Sequence, residues 1–385
     1  MILIPNNAAR WQLKQLRPKL NDPSDILEQC RRVKTLRHLA KSRVCDLSSE
    51  QSILVDDIIP APVALPNIER FADTRINRLY IPHPQARRHL TCDTFQDVFL
   101  VYHDGRFCIF KEGAIDIRST AVPGQKAMNA VAKGQFSSPG PGAFCGDHWL
   151  PDNPAHFISD QLTRALILRD RVGMPSGRIH LPESRAPVCN FLRQQLDPAF
   201  KTLEPDQVHF FPELKLLSSS RFDKPQGHPF WYLDPDILAI VRASAQRNFR
   251  AGPPEGSKIY LSRTDATRRR MLNEPELIGR LQALGVKPVL MSQLSGPDQL
   301  GAVYNADMVI APHGGALLNL IAARKGTRVI ELFTPERGTL AFAGIALALG
   351  LNYDFQFGQP DQTPQEHDQP WRADIEAMCA MLARI

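Results

Sequence analysis

The 385-residue chain has no uninterrupted apolar run of 18 residues, so no transmembrane helix is expected. Its opening Met1-Ile2-Leu3-Ile4-Pro5 is too short an apolar run for a secretory signal peptide. Cys-x-x-Cys pairs are missing. The seven cysteines, at 30, 45, 92, 108, 145, 189 and 379, are scattered and odd in number. That pattern suits reduced packing thiols in a cytoplasmic protein and argues against a disulfide frame or a zinc site. No Gly-x-Gly-x-x-Gly follows an expected strand, which counts against a nucleotide-dependent oxidoreductase. No Walker A motif is present either, so ATP-driven chemistry has no support.

What is present is globular: 43 % hydrophobic and 22 % charged residues exclude a disordered or fibrous chain. At this length two domains are expected. The net charge of +6 is unevenly placed. Residues 1–45 hold ten Lys/Arg against Asp22, Asp25 and Glu28, a local +7, so the rest sums to about −1. Such a segment suits peripheral contact with an anionic membrane. It equally suits a solvated helix face, because Ile26, Cys30, Val33, Leu36 and Leu39 form an apolar stripe opposite the charges. With Trp11 as its one aromatic it does not suit nucleic acid.

Helical periodicity over Asp25–Arg43 is followed by two strand runs, 98–101 and 107–110, flanking the hairpin signal His103-Asp104-Gly105. The Gly-, Pro- and Ser-rich tract 122–146 reads as a surface loop. Alternation of helices and strands begins near residue 150, with a helix over 156–171, a strand at 178–181, a helix at 187–196 and strands at 208–211 and 214–217. A linker at 223–229 precedes Asp234-Pro235, an N-cap with proline at the first helical position, and a helix to about Arg250. That capping role explains Asp234 and Asp236 better than an acidic metal site does. Strands expected at 258–261, 287–290, 307–310, 328–333 and 352–357 alternate with helices at 274–284, 296–305, 316–323 and 337–349, which predicts a parallel, doubly wound sheet. A last helix is expected at about 365–384.

Three signatures fall where strands give way to polar or Gly-rich residues: Tyr260-Leu261-Ser262-Arg263, Pro312-His313-Gly314-Gly315-Ala316 and Val329-Ile330-Glu331-Leu332. Strand ends of an open α/β sheet are where ligands bind. A loop with two glycines beside His313, opening into the run 316–320, suits a phosphate through its N–H groups and helix dipole. Glu331, at the end of the following strand, suits a ribose diol. The three together read as a nucleotide site.

The run from Lys258 to Arg263, then Arg270-Met271-Leu272-Asn273-Glu274, then Pro312 to Asn319, then Val329-Ile330-Glu331, resembles glycosyltransferase family 61. Asn153-Pro154-Ala155-His156 with Asp160 is similar to the family's upstream Asn-x-x-His-x-x-x-Asp element. Where members commonly read His-Gly-Ala-Gly, this chain reads His313-Gly314-Gly315-Ala316, with the glycine displaced by one. Bacterial members often accompany capsular or other surface-polysaccharide genes. The resemblance implies a GT-B architecture of two Rossmann-like domains, an inverting reaction, and neither a cofactor nor an obligatory metal. Residues 1–140 show no such resemblance, and the elements read above set the expected domains at 1–232 for acceptor binding, with the basic segment 1–45, a β meander at about 95–120 and an α/β part from 150. The nucleotide-sugar domain is then expected at 233–358 and a C-terminal helix at 359–385.

A diphosphate bound without a divalent ion needs cations and N–H donors. Ser262 and Arg263 offer a hydroxyl and a guanidinium; Gly314, Gly315 and Ala316 offer backbone donors; His313 can donate to phosphate. Arg270, Asn319 and Glu331 complete the candidates for the donor. The alternative for Arg268 to Arg270 is a solvated helix start, and Asn319 could instead satisfy the inner end of its helix. His156 and Asp160, at i and i+4, share a helix face with Arg164 beyond them. They are the candidate catalytic pair, with Asp160, positioned by His156, expected to accept the acceptor's proton, or His156 taking it itself, unless they form only a local surface contact. His148 and His228 are further cleft candidates. The expected activity is transfer of a sugar from a nucleotide donor to a hydroxyl of a glycan or lipid-linked glycan in surface polysaccharide biosynthesis. It is placed in the cytoplasm or peripherally at the inner membrane face. A sugar-nucleotide- or glycan-binding homologue without turnover is the alternative.

Overall fold

The computed structural model describes residues 3–5, 45–47, 51–58, 76–77, 88–103, 106–111, 114–116, 121–146, 152–219, 235–247, 249, 256–335, 338–339, 341–359 and 370–384. The helix expected at 25–43, His148, His228 and Asp234 lie outside these residues. Contacts divide the chain into two units: 1–57 with 88–185 and 197–221, and 58–87 with 186–196 and 222–385. No helix among the described residues is long and apolar enough to cross a membrane.

In chain order the strands are β1 (Leu3–Pro5), β2 (Cys45–Leu47), β3 (Gln51–Ile58), β4 (Ile76–Asn77), β5 (Arg88–His103), β6 (Arg106–Lys111), β7 (Ala114–Asp116) and β8 (Ala121–Pro123). Then come β9 (Gly142–Phe144), β10 (Ile179–Pro182), β11 (Lys201–Leu203) and β12 (Val208–Ser219). The first unit is built on a mixed sheet ordered β11-β10-β9-β12-β5-β6-β7-β2, with β3 also on β5. Its spine is the antiparallel pair β5–β12, running from Val208 opposite Val101 to Ser219 opposite Leu90. Two strands were expected at 208–211 and 214–217, because proline cannot donate to a ladder. The structure has one: the register skips Pro212 and Asp97, and Asp97 takes φ 54° to absorb the irregularity. The hairpin between β5 and β6 is present, with Tyr102 opposite Phe107 and His103 opposite Arg106. Phe95, Leu100, Ile109, Phe144, Phe211 and Leu214 pack as its core.

Part of the tract expected as loop is a helix, α1 (Gln125–Ala132). Eight residues without Gly or Pro, four of them alanine or methionine, suffice for two turns between Gly124 and Gly134. The helix expected over 156–171 is also present but not uniform. It starts as α2 (Pro154–His156), passes through a π-helical turn at Phe157–Leu162 and continues as α3 (Thr163–Asp170).

The second unit carries β13 (Ser257–Ser262), β14 (Val286–Leu290), β15 (Ala306–Pro312), β16 (Arg328–Phe333), β17 (Gly338–Thr339) and β18 (Asn352–Phe357). Five of these form a wholly parallel sheet, ordered β14-β13-β15-β16-β18. Helices at Glu274–Ala283, Gly296–Tyr304 and Ala341–Ala348 supply the crossovers. β15 and β16 are buried along nearly their whole length, which explains their continuous apolar runs. Tyr260, Leu277, Ile310, Ile330, Trp371 and Met378 share one core cluster, and truncating a buried isoleucine there to alanine costs about 2–5 kcal/mol.

Candidate active site

In the five-stranded sheet the chain runs from β13 outward to β14, then returns to place β15 on the other side of β13. The crevice at the carboxyl ends of β13 and β15 is therefore the topological switch point, where ligands of open α/β sheets bind. Arg263 follows β13 and His313 follows β15, and the two meet there: Arg263 Nη1 donates to the His313 carbonyl at 2.6 Å. Burial lowers the Arg263 guanidinium from its ordinary value, while Glu274 and Asp265 act the other way.

Gly314 is fixed by this contact. A Cβ at that position would stand 3.1 Å from Arg263 Nη1 and 3.3 Å from its Cζ, so the first glycine after the histidine lets the guanidinium close over the loop. Its φ of 171° is ordinary extended backbone, so the requirement is steric. Gly315 and Ala316 then begin a run of 3-10 turns, Gly315–Ala322, where an α-helix was expected at 316–323. The tightening shows in Leu317 N donating to Gly314 O at 3.0 Å. Asn319 Nδ2 also donates to the Ala316 carbonyl at 3.0 Å. The first N–H groups of such a run have no partner within it and face the loop side. Asn319 is buried and its Oδ1 accepts no hydrogen bond.

Glu331 departs from the expected ribose contact. It lies inside β16, is 0 % exposed, and has both oxygens engaged by its own chain. His313 Nδ1 donates to Oε1 at 2.5 Å, and the Tyr353 hydroxyl donates to Oε2 at 2.6 Å. A carboxylate only accepts, so the proton on Nδ1 is fixed and Nε2 is left for a ligand. Desolvation, with the Glu331 charge next, pushes the Tyr353 phenol well above its ordinary value, so it stays a donor. Phe333 and Phe342 flank the imidazole at centroid distances of 5.8 and 5.4 Å. Glu331 thus orients His313.

Ser262 departs in the same way. It is buried, and its hydroxyl donates to Glu274 Oε1 at 3.0 Å. That oxygen also accepts from the Tyr260 hydroxyl at 3.0 Å and the Arg263 amide at 2.7 Å. Glu274 therefore shapes the end of β13 from below, and Ser262 belongs to this support. Arg270 is exposed, in a segment pinned to the C-terminal region: Trp371 donates its backbone N–H to Arg270 O and its indole N–H to Arg269 O, both at 3.0 Å.

The other candidate pair sits in the first unit. Asn153 caps the helix by accepting from Ala155 N at 3.1 Å, with Pro154 next. The π-helical turn that follows is wholly buried, from Phe157 to Leu162. It is closed in part by Thr163 Oγ1 donating to the Ile158 carbonyl at 2.9 Å. Such single π turns occur often at functional sites. His156 Nδ1 and Asp160 Oδ2 are 3.6 Å apart, with side chains 13 % and 4 % exposed. The pair shares a face as the i, i+4 spacing predicted, but the separation exceeds a direct hydrogen bond. It is not a surface contact. Arg164 is turned to the Gly146 carbonyl at 3.5 Å. Among the described residues no three His, Cys, Asp or Glu side chains converge as metal ligands.

Two residues of the site had no role in the sequence reading. Glu274 was legible only as part of a motif and as a helix start. Tyr353, on β18, carries no local signal, because its contact with Glu331 arises only when β16 and β18 pair.

A five-stranded parallel sheet with a cation and an imidazole at its switch point defines a Rossmann-like unit within a mixed α/β chain. Residues 155–330 match the family model Glycosyltransferase 61, so this segment is similar to that family. The match takes in His156, Asp160 and every donor-site candidate up to Asn319, and stops one residue before Glu331. The chain is 25 % identical over 264 residues to "Protein O-linked-mannose beta-1,4-N-acetylglucosaminyltransferase 2" of Bos taurus. It is equally similar to the protein of that name from Canis lupus familiaris. Each match covers 60 % of this chain and 44 % of the relative, so the chain spans less than half the length of the curated relatives it matches.

Proposed function

We propose that the protein is an inverting glycosyltransferase that moves a sugar from a nucleotide donor to a hydroxyl of a glycan acceptor. The observation that carries this is the meeting of Arg263 and His313 at the switch point, with His313 held from behind by Glu331 and Tyr353. A nucleoside diphosphate leaving group carries about two negative charges. Arg263, the Nε2 side of His313 and the amides of Gly315 and Ala316 offer charge-assisted hydrogen bonds to it, each worth about 1.5–3 kcal/mol. Because the interactions strengthen as charge grows on the leaving oxygen, they favour the transition state over the bound donor.

In this reading the first unit supplies the acceptor side and the base. His156 is the more exposed member of its pair and receives the proton of the attacking hydroxyl; Asp160, one helical turn on, stabilises the imidazolium that forms. The acceptor oxygen forms a bond to the anomeric carbon as the C–O bond to the diphosphate breaks and the diphosphate departs with its electron pair, inverting that centre. A GT-B architecture, independence of metal, a place in surface polysaccharide biosynthesis and a cytoplasmic location belong to the same proposal. So does peripheral membrane contact through 1–45.

The relatives are named as N-acetylglucosaminyltransferases, so nucleotide-linked N-acetylglucosamine is the first donor to test. The experiment is a thermal-shift series with UDP, GDP and CMP, followed by donor turnover with and without EDTA. A nucleotide at 100 times its Kd adds about 2.7 kcal/mol of stability. Stabilisation by one nucleoside diphosphate that disappears in Arg263→Ala, with turnover surviving EDTA, supports the reading. Absence of any nucleotide effect sinks it. Turnover abolished by EDTA and restored only by a divalent cation removes its metal-independent part.

A further inference from the structure

The first unit holds a second feature that the sugar-transfer reading leaves unused. Between α1 and the start of β12 lies an open groove of about 430 Å³, within the size range of small-ligand sites. Its wall is the segment 135–137, which is stitched to β12. Ser137 N donates to Val208 O at 3.0 Å, and Phe210 N donates to Ser137 O at 2.8 Å. Three groups of different chemistry face this groove, and each is held from behind.

The first is an aromatic ring. Phe136 is 38 % exposed, one of four large hydrophobic side chains left so open among the described residues. It is held edge-on by Phe99 at 5.3 Å and packs on Phe210 at 5.8 Å. The second is an oriented hydroxyl. His209 is buried and donates Nε2–H to the Glu204 carbonyl at 3.0 Å. Burial, partly offset by Glu204, lowers its pKa and keeps it neutral at pH 7. Its bare Nδ1 therefore accepts the Ser137 hydroxyl proton at 2.6 Å. Exposed Ser137 Oγ is left with its lone pairs directed to an incoming donor. The third is the Asp206 carboxylate. Its residue takes φ 64°, its amide donates to Tyr102 O at 2.9 Å, and Oδ1 meets His103 Nδ1 at 2.9 Å.

We propose that this groove is a saccharide-binding subsite, with the apolar face of a sugar ring on Phe136 and its hydroxyls on Ser137 and Asp206. A pyranose offers that combination: a C–H face that packs on an aromatic ring and a rim of hydroxyls that donate to fixed oxygens. A phosphate-bearing ligand fits less well, since among the described residues Lys126 is the one cation of the lining and Asp206 opposes it. Ser137 is not a nucleophile here, because its own backbone N–H and C=O are spent on β12 and form no oxyanion hole. Placing the ligand on the acceptor glycan rests on the sugar-transfer reading; the binding itself does not.

The test is saturation-transfer NMR and calorimetry of the full chain with neutral and N-acetylated di- and tetrasaccharides, without nucleotide. At least one saccharide should bind. Phe136→Ala should weaken it about ten-fold or more, Phe136→Trp should retain it, and Ser137→Val should weaken it as well. Donor hydrolysis should be unchanged in all three variants. No saccharide binding, binding indifferent to Phe136→Ala, or UDP displacing the saccharide from the groove would overturn the proposal. Donor hydrolysis without Phe136-dependent binding also overturns it, and leaves the transferase reading intact. Phe136-dependent binding without donor hydrolysis supports the subsite and counts against the transferase reading.

Discussion

Two histidine–carboxylate pairs, one in each unit, are built to different tolerances. His313 and Glu331 are in direct hydrogen-bond contact at 2.5 Å, with Tyr353 donating to the second carboxylate oxygen and two phenylalanine rings flanking the imidazole. His156 and Asp160 stand 3.6 Å apart on a helix that switches to π-helical winding between them. A histidine whose Nδ1 proton is fixed by a buried carboxylate has one task left, donation or acceptance at Nε2. That suits a group that must meet a phosphate in the same place at every turnover. A pair just beyond hydrogen-bond distance can close when a proton arrives, because the imidazolium then attracts the carboxylate directly. On the proposed roles, tightness goes with binding and looseness with proton transfer.

The largest expected effect tests the loose pair. Asp160→Asn keeps the size of the side chain and removes the charge that would stabilise an imidazolium on His156. On a true acceptor, kcat should fall roughly 10²–10⁴-fold, while the Kd for nucleoside diphosphate stays near that of the wild type. His156→Ala should fall at least as far. Reversal of that order would make Asp160 itself the base. Weakened nucleotide binding in Asp160→Asn would break the division of labour between the pairs altogether.

Next come Arg263, proposed to meet the nucleotide, and Glu331, which stands behind His313. Arg263→Ala should weaken donor and free nucleoside diphosphate alike, by about 1.5–3 kcal/mol for one charge-assisted bond. Glu331→Gln should cost about ten-fold in the same calorimetric titration, or roughly 1.4 kcal/mol. The neutral amide can present its nitrogen to Nδ1, or accept from it more weakly, so the fixed tautomer is lost. If Glu331→Gln left nucleotide affinity intact while lowering kcat, the tight pair would be a catalytic device and the comparison would invert.

The sequence was most legible where local rules suffice. Strand–helix alternation gave the parallel sheet of the second unit nearly to its ends, because buried strands write themselves as apolar runs between Gly and capping residues. The positions of Arg263, His313 and Gly314 followed from the rule that ligands meet strand ends. What was illegible depended on pairing across the fold. Glu331 read as a strand-end acid because its partners His313 and Tyr353 lie 18 and 22 residues away, and Ser262 read as free because Glu274 reaches it from twelve residues away. Winding was invisible too. The π-helical turn at 157–162 and the 3-10 run at 315–322 keep the same residues helical, but shift which carbonyls accept. The helix 125–132 was masked by the Gly-, Pro- and Ser-rich residues on either side of it.

The smallest expected effect concerns Tyr353, which never meets a ligand in this reading. Tyr353→Phe removes one donor to a carboxylate that is fully buried, so the folded state loses that bond and keeps the desolvated oxygen. A urea titration should show about 1–3 kcal/mol less stability. Glu331 Oε1 would still hold His313 Nδ1, so nucleotide affinity should drop only about two- to five-fold, under about 1 kcal/mol. The two measurements together separate support from orientation. A loss of affinity as large as that of Glu331→Gln would mean that the phenol, through the carboxylate, sets the imidazole's direction, and that the tight pair is a triad. Unchanged stability would mean that water enters to replace the lost donor, so that the site behind His313 is less closed than its burial implies.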